Sequence, residues 1–251
     1  MTAPTPIVLL HAFPLDHRMW DEVAAGLART HHVLAPDLPV ALGEPLPEPA
    51  LEHAADAVAA AIRAAGSGPA VVVGLSMGGY VALALLERHP ELVAALALVD
   101  TKSTADTPEA AAKRRQVADA VQEAGSVDPV RAMPDVLLGE TTRSARPDVV
   151  ERVTAWIAEQ DPARVSWAQR AMAARPDRTD VLRAFDGPVT VVVGDEDSVT
   201  GTDAAEHMVA AVEQALLVVV PRVGHLSAVE DADAVRSALA DLAQRVHDPV
   251  A

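Results

Sequence analysis

Gly74-Leu75-Ser76-Met77-Gly78-Gly79 is the stretch whose residue types and spacing could do chemistry. It follows the apolar run Val71-Val72-Val73 and opens a second apolar stretch from Tyr80 to Leu86, a pattern that predicts strand, tight turn and helix. A serine at such a turn sits in a strained backbone conformation. Only very small residues two before and two after it let helix and strand approach. Gly74 and Gly78 meet that need, and Gly79 adds slack. The N-terminus of the new helix points N–H groups at the place where negative charge would develop. The chemistry would be attack of the Ser76 hydroxyl on an acyl carbonyl.

A serine hydroxyl is a weak nucleophile and needs a base, and the base needs a carboxylate to orient it. Of nine histidines, His225 stands out: Gly224-His225 follows an apolar run ending at Val220, and Glu230 opens the next helix. His31, His32 and His53 lie in poor places for the task, and His17, His89, His207 and His247 have the look of helix-surface residues. Gly194-Asp195-Glu196-Asp197 ends another apolar run. Asp197, three residues past Gly194, is best placed to curve inward, with Asp195 second and Asp100, at the end of Ala95 to Val99, third. The expected site is therefore Ser76, Asp197 and His225, each in a loop that follows a strand.

Those loops need a sheet to carry them. Pro6 to Leu10, His32 to Ala35, Ala70 to Val73, Ala95 to Val99, Pro188 to Val193 and Ala215 to Val220 are short apolar runs of the kind that buried parallel strands show. Asp16 to Arg29, Glu48 to Ala65, Met77 to Arg88, Asp203 to Glu213 and Asp231 to Arg245 are the helices expected between and after them. The alternation predicts an α/β fold: a mostly parallel sheet of about six strands with helices on both faces. From about residue 103 to residue 184 the rhythm breaks. The stretch is helical in character, is divided by Pro108, Pro129, Pro134, Pro147, Pro162 and Pro176, and contains Trp156 and Trp167. It is expected to be an inserted helical cap over the carboxyl edge of the sheet, with residues 1–102 and 185–251 forming the core.

Composition narrows the function classes. The chain has 251 residues, enough for one large α/β domain with a small insertion. It has no cysteine, which rules out disulfides, thiolate metal sites and a cysteine nucleophile. Its 36 acidic against 20 basic residues give a net charge of −16, which argues against a nucleic-acid partner. The start, Met1 to Pro6, has no basic region before an apolar stretch, and no apolar run reaches the roughly 20 residues of a membrane span. The expectation is a soluble, cytoplasmic protein without a membrane partner.

With these motifs in place, and with His11-Ala12-Phe13-Pro14 ending the first strand, the chain resembles the α/β-hydrolase superfamily over almost its whole length. The order Ser76, Asp197, His225 is the order of that fold. The resemblance implies an oxyanion hole made by the backbone N–H groups of Phe13 and Met77, with His11 shaping the loop. Three departures accompany it. Ala12 stands where the family usually has Gly. Asp37-Leu38-Pro39-Val40-Ala41-Leu42-Gly43 replaces the family's D-x-P-G-x-G-x-S. The two leading antiparallel strands are missing, so the sheet should be trimmed to six parallel strands.

The chemistry implied is two-step acyl transfer on a small-molecule ester, lactone or other acyl substrate, with no metal and no organic cofactor. Asp100-Thr101 followed by Ala105-Asp106-Thr107-Pro108 is closest in feel to small carboxylesterases and enol-lactone hydrolases. Cofactor-free perhydrolases or haloperoxidases, thioesterases and C–C hydrolases are the alternatives on the same site, and Ser76 speaks against haloalkane dehalogenation, which uses Asp there. An alternative of another class is a ligand-binding or signalling module with slow or no turnover. Tyr80, Trp156, Trp167 and Leu226, with Met77, Met133 and Met172, are the candidates for an apolar substrate pocket.

Overall fold

The apolar runs assemble into one sheet in which every neighbouring pair of strands is parallel. The computed structural model describes residues 5–38, 46–66 and 68–247. Its strands are β1 (Ile7–Leu10), β2 (Val33–Leu34), β3 (Ala70–Leu75), β4 (Val93–Val99), β5 (Val189–Gly194) and β6 (Leu216–Val220), in the spatial order β2-β1-β3-β4-β5-β6. The register pairs Leu10 with Gly74, Leu75 with Val99, and Val192 with Val218. The central strands β1, β3 and β5 are buried along their whole length, as continuous apolar runs require. β6 departs from that expectation. It is a sheet edge, and Leu216, Leu217 and Val219 are 50, 37 and 47 % exposed, because no further strand among the described residues pairs with it and the flanking helices pack more on β5 than on β6.

The chain runs outward from β1 to β2 and then reverses through β3 towards β6. Right-handed crossovers therefore put the early helices on opposite faces. α1 (Asp21–Leu27) packs on α12 (Ala232–His247), whereas α2 (Leu51–Ala64) packs on α3 (Met77–Arg88). Helix boundaries differ from expectation for local reasons. Asp16 caps a 3-10 turn, His17–Trp20, before α1 begins, and α2 begins only after Pro47 and Pro49. The remaining core helices are α10 (Gly201–Ala211) and the single turn α11 (Ser227–Glu230). The Asp37 to Gly43 loop and the chain beyond His247 fall partly or wholly outside the described residues.

Between β4 and β5 the described chain is helical: α4 (Pro108–Ala124), α5 (Pro134–Leu137), α6 (Glu140–Ala145), α7 (Pro147–Ala158), α8 (Pro162–Ala174) and α9 (Thr179–Arg183). Prolines open α4, α5, α7 and α8, where the missing N–H costs nothing. α4 lies along α8. Three cations, Lys102, Arg114 and Arg175, converge on the buried Asp106 at the base of this layer, at 3.2, 2.7 and 2.8 Å. Among the described residues no helix is long and apolar enough to cross a membrane.

The reversal between β1 and β3 leaves a crevice at their carboxyl ends, where α3 starts. Ser76 joins β3 to α3 with φ 53° and ψ −112°. A side chain on Gly74 would fall on the Gly78 backbone, and one on Gly78 would fall on the Leu10 carbonyl. Gly78→Ala should thus cost about 1–3 kcal/mol of unfolding free energy through overpacking, read by denaturant titration. Gly68→Ala, where a Cβ meets nothing within 4 Å, should stay within about 0.5 kcal/mol of the parent.

Candidate active site

Ser76, His225 and Asp197 meet at the carboxyl edge of the sheet. His225 Nε2 lies 2.8 Å from Ser76 Oγ, and His225 Nδ1 lies 3.0 Å from Asp197 Oδ2. His225 and Asp197 have side chains 1 % and 0 % exposed, so water competes little with either contact. Asp197 also accepts from the Val199 and Thr200 amides at 2.8 and 3.1 Å and from the Thr200 hydroxyl at 2.6 Å. Burial alone would raise its carboxyl, but these donors, His225 first, outweigh burial and hold it at about 2. The other two acids considered from sequence turn elsewhere. Asp195 accepts from the Arg222 amide at the start of the β6–α11 loop, and Asp100 accepts from the Gly194 and Ser227 amides.

The loops that carry these side chains are tied down by buried polar groups. Thr101 Oγ1 donates to the Ser76 carbonyl at 2.8 Å. The carboxylate of Glu230 accepts from the Gly224 amide at 2.9 Å and the Leu226 amide at 3.3 Å on either side of His225, and from the Gly139 amide at 2.9 Å. The His225 amide donates to the Leu137 carbonyl at 2.9 Å. Glu196 accepts from the Thr141 amide and hydroxyl. The sequence marks Glu230 only as the opening of a helix. A Glu five residues after the loop histidine, at the end of a four-residue helix, is the signal that could have marked it as a loop tether.

On the other side of Ser76 the β1 loop approaches α3. Among the described residues neither the Phe13 nor the Met77 backbone N–H finds an acceptor. The neighbouring Ala12 amide is taken by Met19 Sδ at 3.1 Å. His11 is buried. One ring nitrogen contacts the Ala12 carbonyl at 2.9 Å and the other accepts from the Leu38 amide at 2.7 Å, and burial holds its pKa down so that it stays neutral. The peptide between Phe13 and Pro14 is cis.

A cleft of about 220 Å³ opens beside Phe13 and Met77, lined further by His11, Leu15, Leu38, Val165 and Ala168, with Asp16, Asp37, Glu159, Asp161 and Arg164 around it. Of the pocket candidates read from sequence, Met77 lines this cleft, while Tyr80, Trp156, Trp167 and Leu226 lie away from it. Tyr80 is buried with the Arg175 guanidinium 4.0 Å above its ring. Trp156 lies between Arg18 and Arg152, 5.9 and 5.5 Å from its ring. Trp167 donates to the Pro47 carbonyl and borders a separate groove with Leu46 and Pro49. Leu226 is fully buried in the core. Val165 and Ala168, one helical turn apart on α8, carry no mark in the sequence, because nothing in their side chains separates a cleft wall from ordinary packing.

His17 and His89 have acidic partners outside this centre. His17 pairs with Asp37 at 2.7 Å and His89 with Asp56 at 2.8 Å. Asp16, His17 and Asp37 bring possible ligand atoms within 4.8 Å of one another. The Asp16 oxygens, however, already accept from Arg18 and Gln160, and Asp37 Oδ1 accepts from His17.

Comparison with known proteins agrees with this architecture. A thermophilic esterase from Thermogutta terrifontis, solved with malate bound, superposes with a TM-score of 0.91 at 35% identity, over 98% of this chain and 92% of that one. A pimeloyl-acyl-carrier-protein methyl ester esterase of Neisseria meningitidis serogroup C is 29% identical over 249 residues, covering 96% of this chain and 94% of the relative. The enol-lactonase of Burkholderia xenovorans LB400, at 22% identity, has a TM-score of 0.82 over 96% of this chain and 92% of its own, a likeness of fold. The family model described as alpha/beta hydrolase fold matches residues 5–232. With its six-stranded parallel sheet and its Ser76 turn between β3 and α3, the chain belongs to the α/β-hydrolase fold family.

Proposed function

We propose that this protein is a serine hydrolase that cleaves a carboxylic ester or lactone through an acyl-enzyme on Ser76. The observation that carries the proposal is the chain of contacts from Ser76 Oγ to His225 Nε2 and from His225 Nδ1 to Asp197, at 2.8 and 3.0 Å. Both distances are within hydrogen-bonding reach for proton transfer and for orientation of the base. The relatives named as esterases support ester hydrolysis as the reaction class.

In the first step His225 Nε2 takes the Ser76 proton as Oγ bonds to the acyl carbon. Asp197 receives Nδ1–H, fixes the tautomer and stabilises the imidazolium. The free Phe13 and Met77 N–H groups receive the oxyanion, each worth about 3 kcal/mol in the transition state. The Met77 group also opens α3, whose dipole favours negative charge there. His225 then returns its proton to the leaving alcohol. In the second step it takes a proton from water, the hydroxide adds to the acyl carbon, and the proton passes to Ser76 Oγ as the acid departs.

The cleft beside Phe13 and Met77 is the proposed route for substrate. Residues 103–184 serve as its cap: Val165 and Ala168 line the cleft, and Leu137 and Gly139 bond to the His225 loop and to Glu230. A small neutral acyl substrate suits the space and the carboxylates around it.

A screen of p-nitrophenyl esters of increasing chain length, lactones and thioesters tests the reaction class. Ser76→Ala should abolish turnover and labelling by a fluorophosphonate, and retained turnover would refute Ser76 as nucleophile. Asp197→Asn should lower kcat on the order of 10⁴-fold, because the imidazole loses its tautomer partner.

Asp197 also ties stability to pH. Its carboxyl is held at about 2 in the folded chain against an ordinary 3.8, so the unfolded chain binds the proton first as pH falls. The stabilisation, roughly 2 kcal/mol, is full above about pH 4 and disappears as pH approaches 2. Denaturant unfolding near pH 6 and near pH 3 should show a smaller acid loss in Asp197→Asn than in the parent. An equal loss in both would remove Asp197 as the source.

A further inference from the structure

Asp100 is a buried acid to which no cationic side chain among the described residues is bonded. It ends β4 with φ 43° and is 0 % exposed. Its two oxygens go to two different loops. Oδ1 accepts from the Gly194 amide at 2.9 Å, where β5 passes into the loop that carries Asp197. Oδ2 accepts from the Ser227 amide at 3.0 Å, two residues past His225. We infer that Asp100 is a positioning residue: its carboxylate clamps the acid loop to the base loop and so sets the spacing of Ser76, His225 and Asp197.

Three physical points carry this inference, which rests on the mechanism proposed above. A carboxylate in the interior is expensive, and it persists where its acceptors are needed. Burial first of all pushes the Asp100 carboxyl up to about 7, with the nearby Asp197 adding to the rise and the charge of His225 and the two amides opposing it. Asparagine would fit the positive φ, since Asn and Asp both tolerate it, and would avoid the charge. It has one acceptor oxygen, however, and its amide group would face the second N–H with a donor. Only an acid of this length satisfies both loops at once. The lever arms are short, three residues to Asp197 and two to His225, and misplacement of reacting groups by about 1 Å can cost on the order of 10²-fold in rate.

The test is steady-state kinetics of Asp100→Asn on the best p-nitrophenyl ester, with Tm measured alongside and Ser76→Ala assayed in parallel. The clamp predicts a kcat lower by about tenfold or more, equivalent to about 1.4 kcal/mol, with KM within about twofold, because alignment is lost and binding is not. A carboxylate that only holds the fold would lower Tm and leave kcat close to the parent value at temperatures well below Tm, and a fall in kcat smaller than about tenfold overturns the inference. If Asp100→Asn does not fold, Asp100→Gly, which suits a φ of 43°, answers the same question. Turnover surviving in Ser76→Ala would overturn the mechanism and the clamp together. An inactive Ser76→Ala beside a fully active Asp100→Asn would overturn the clamp alone.

Discussion

Gly78 passes so close to the Leu10 carbonyl that no side chain can stand between them, and most of the site's geometry follows from that approach. It brings the first turn of α3 against the end of β1. The Met77 amide, at the first position of a helix, has no partner inside the helix. The Phe13 amide has none in its loop. Two amides that no described residue accepts thus belong to residues that line the same cleft. The φ of 53° at Ser76 is the backbone cost of the same approach. The reversal of strand order between β1 and β3 is what places this contact in a crevice instead of beneath a crossover helix.

Strands β4, β5 and β6 supply the remaining parts, and carboxylates join them. Asp100, Asp195, Asp197, Glu196 and Glu230 all accept backbone N–H groups in the loops at this edge of the sheet. A carboxylate is an acceptor at both oxygens, so it can hold amides that approach it from two sides. Part of the acidic excess of this chain is thus loop architecture as well as solvated surface. Glu230 extends the arrangement upward by taking the Gly139 amide, and the Leu137 carbonyl takes the His225 amide. Movement of the helical layer would be felt directly at His225.

What could be read from the sequence was whatever leaves a local mark. The strand runs, the glycines around Ser76 and the helical stretch between β4 and β5 each impose a composition or a period on neighbouring residues, and the sheet of six parallel strands follows from them. Burial at the sheet edge left no such mark: β6 is as apolar as β5, yet three of its five residues are exposed, because whether another strand follows is settled by the whole chain and not by the run itself. The cleft was harder still. Tyr80, Trp156 and Trp167 attract notice as large aromatics, but Arg175 covers the Tyr80 ring, two arginines flank Trp156, and Pro47 occupies the Trp167 N–H. The cleft wall is built from residues such as Val165 and Ala168 whose place depends on how α8 lies on the core. Among Asp100, Asp195 and Asp197, sequence spacing could rank the acids, but their hydrogen bonds are long-range facts.

The contrast between Asp100 and Asp197 shows why. Both are buried acids at the same edge of the sheet, and both lie within the field of His225. Asp197 accepts four hydrogen bonds, one from the imidazole and one from a hydroxyl that can turn to meet it, and its charge is stabilised far beyond the cost of burial. Asp100 accepts two, both from fixed amides, and burial wins. Asp100 is the more deeply buried of the two and has fewer donors, and both differences favour charge on Asp197 over charge on Asp100. An acid in the Asp197 position can stabilise the charge that appears on His225. An acid in the Asp100 position cannot hold its own charge as firmly, and under the proposed clamp its contribution comes through the loops that it joins.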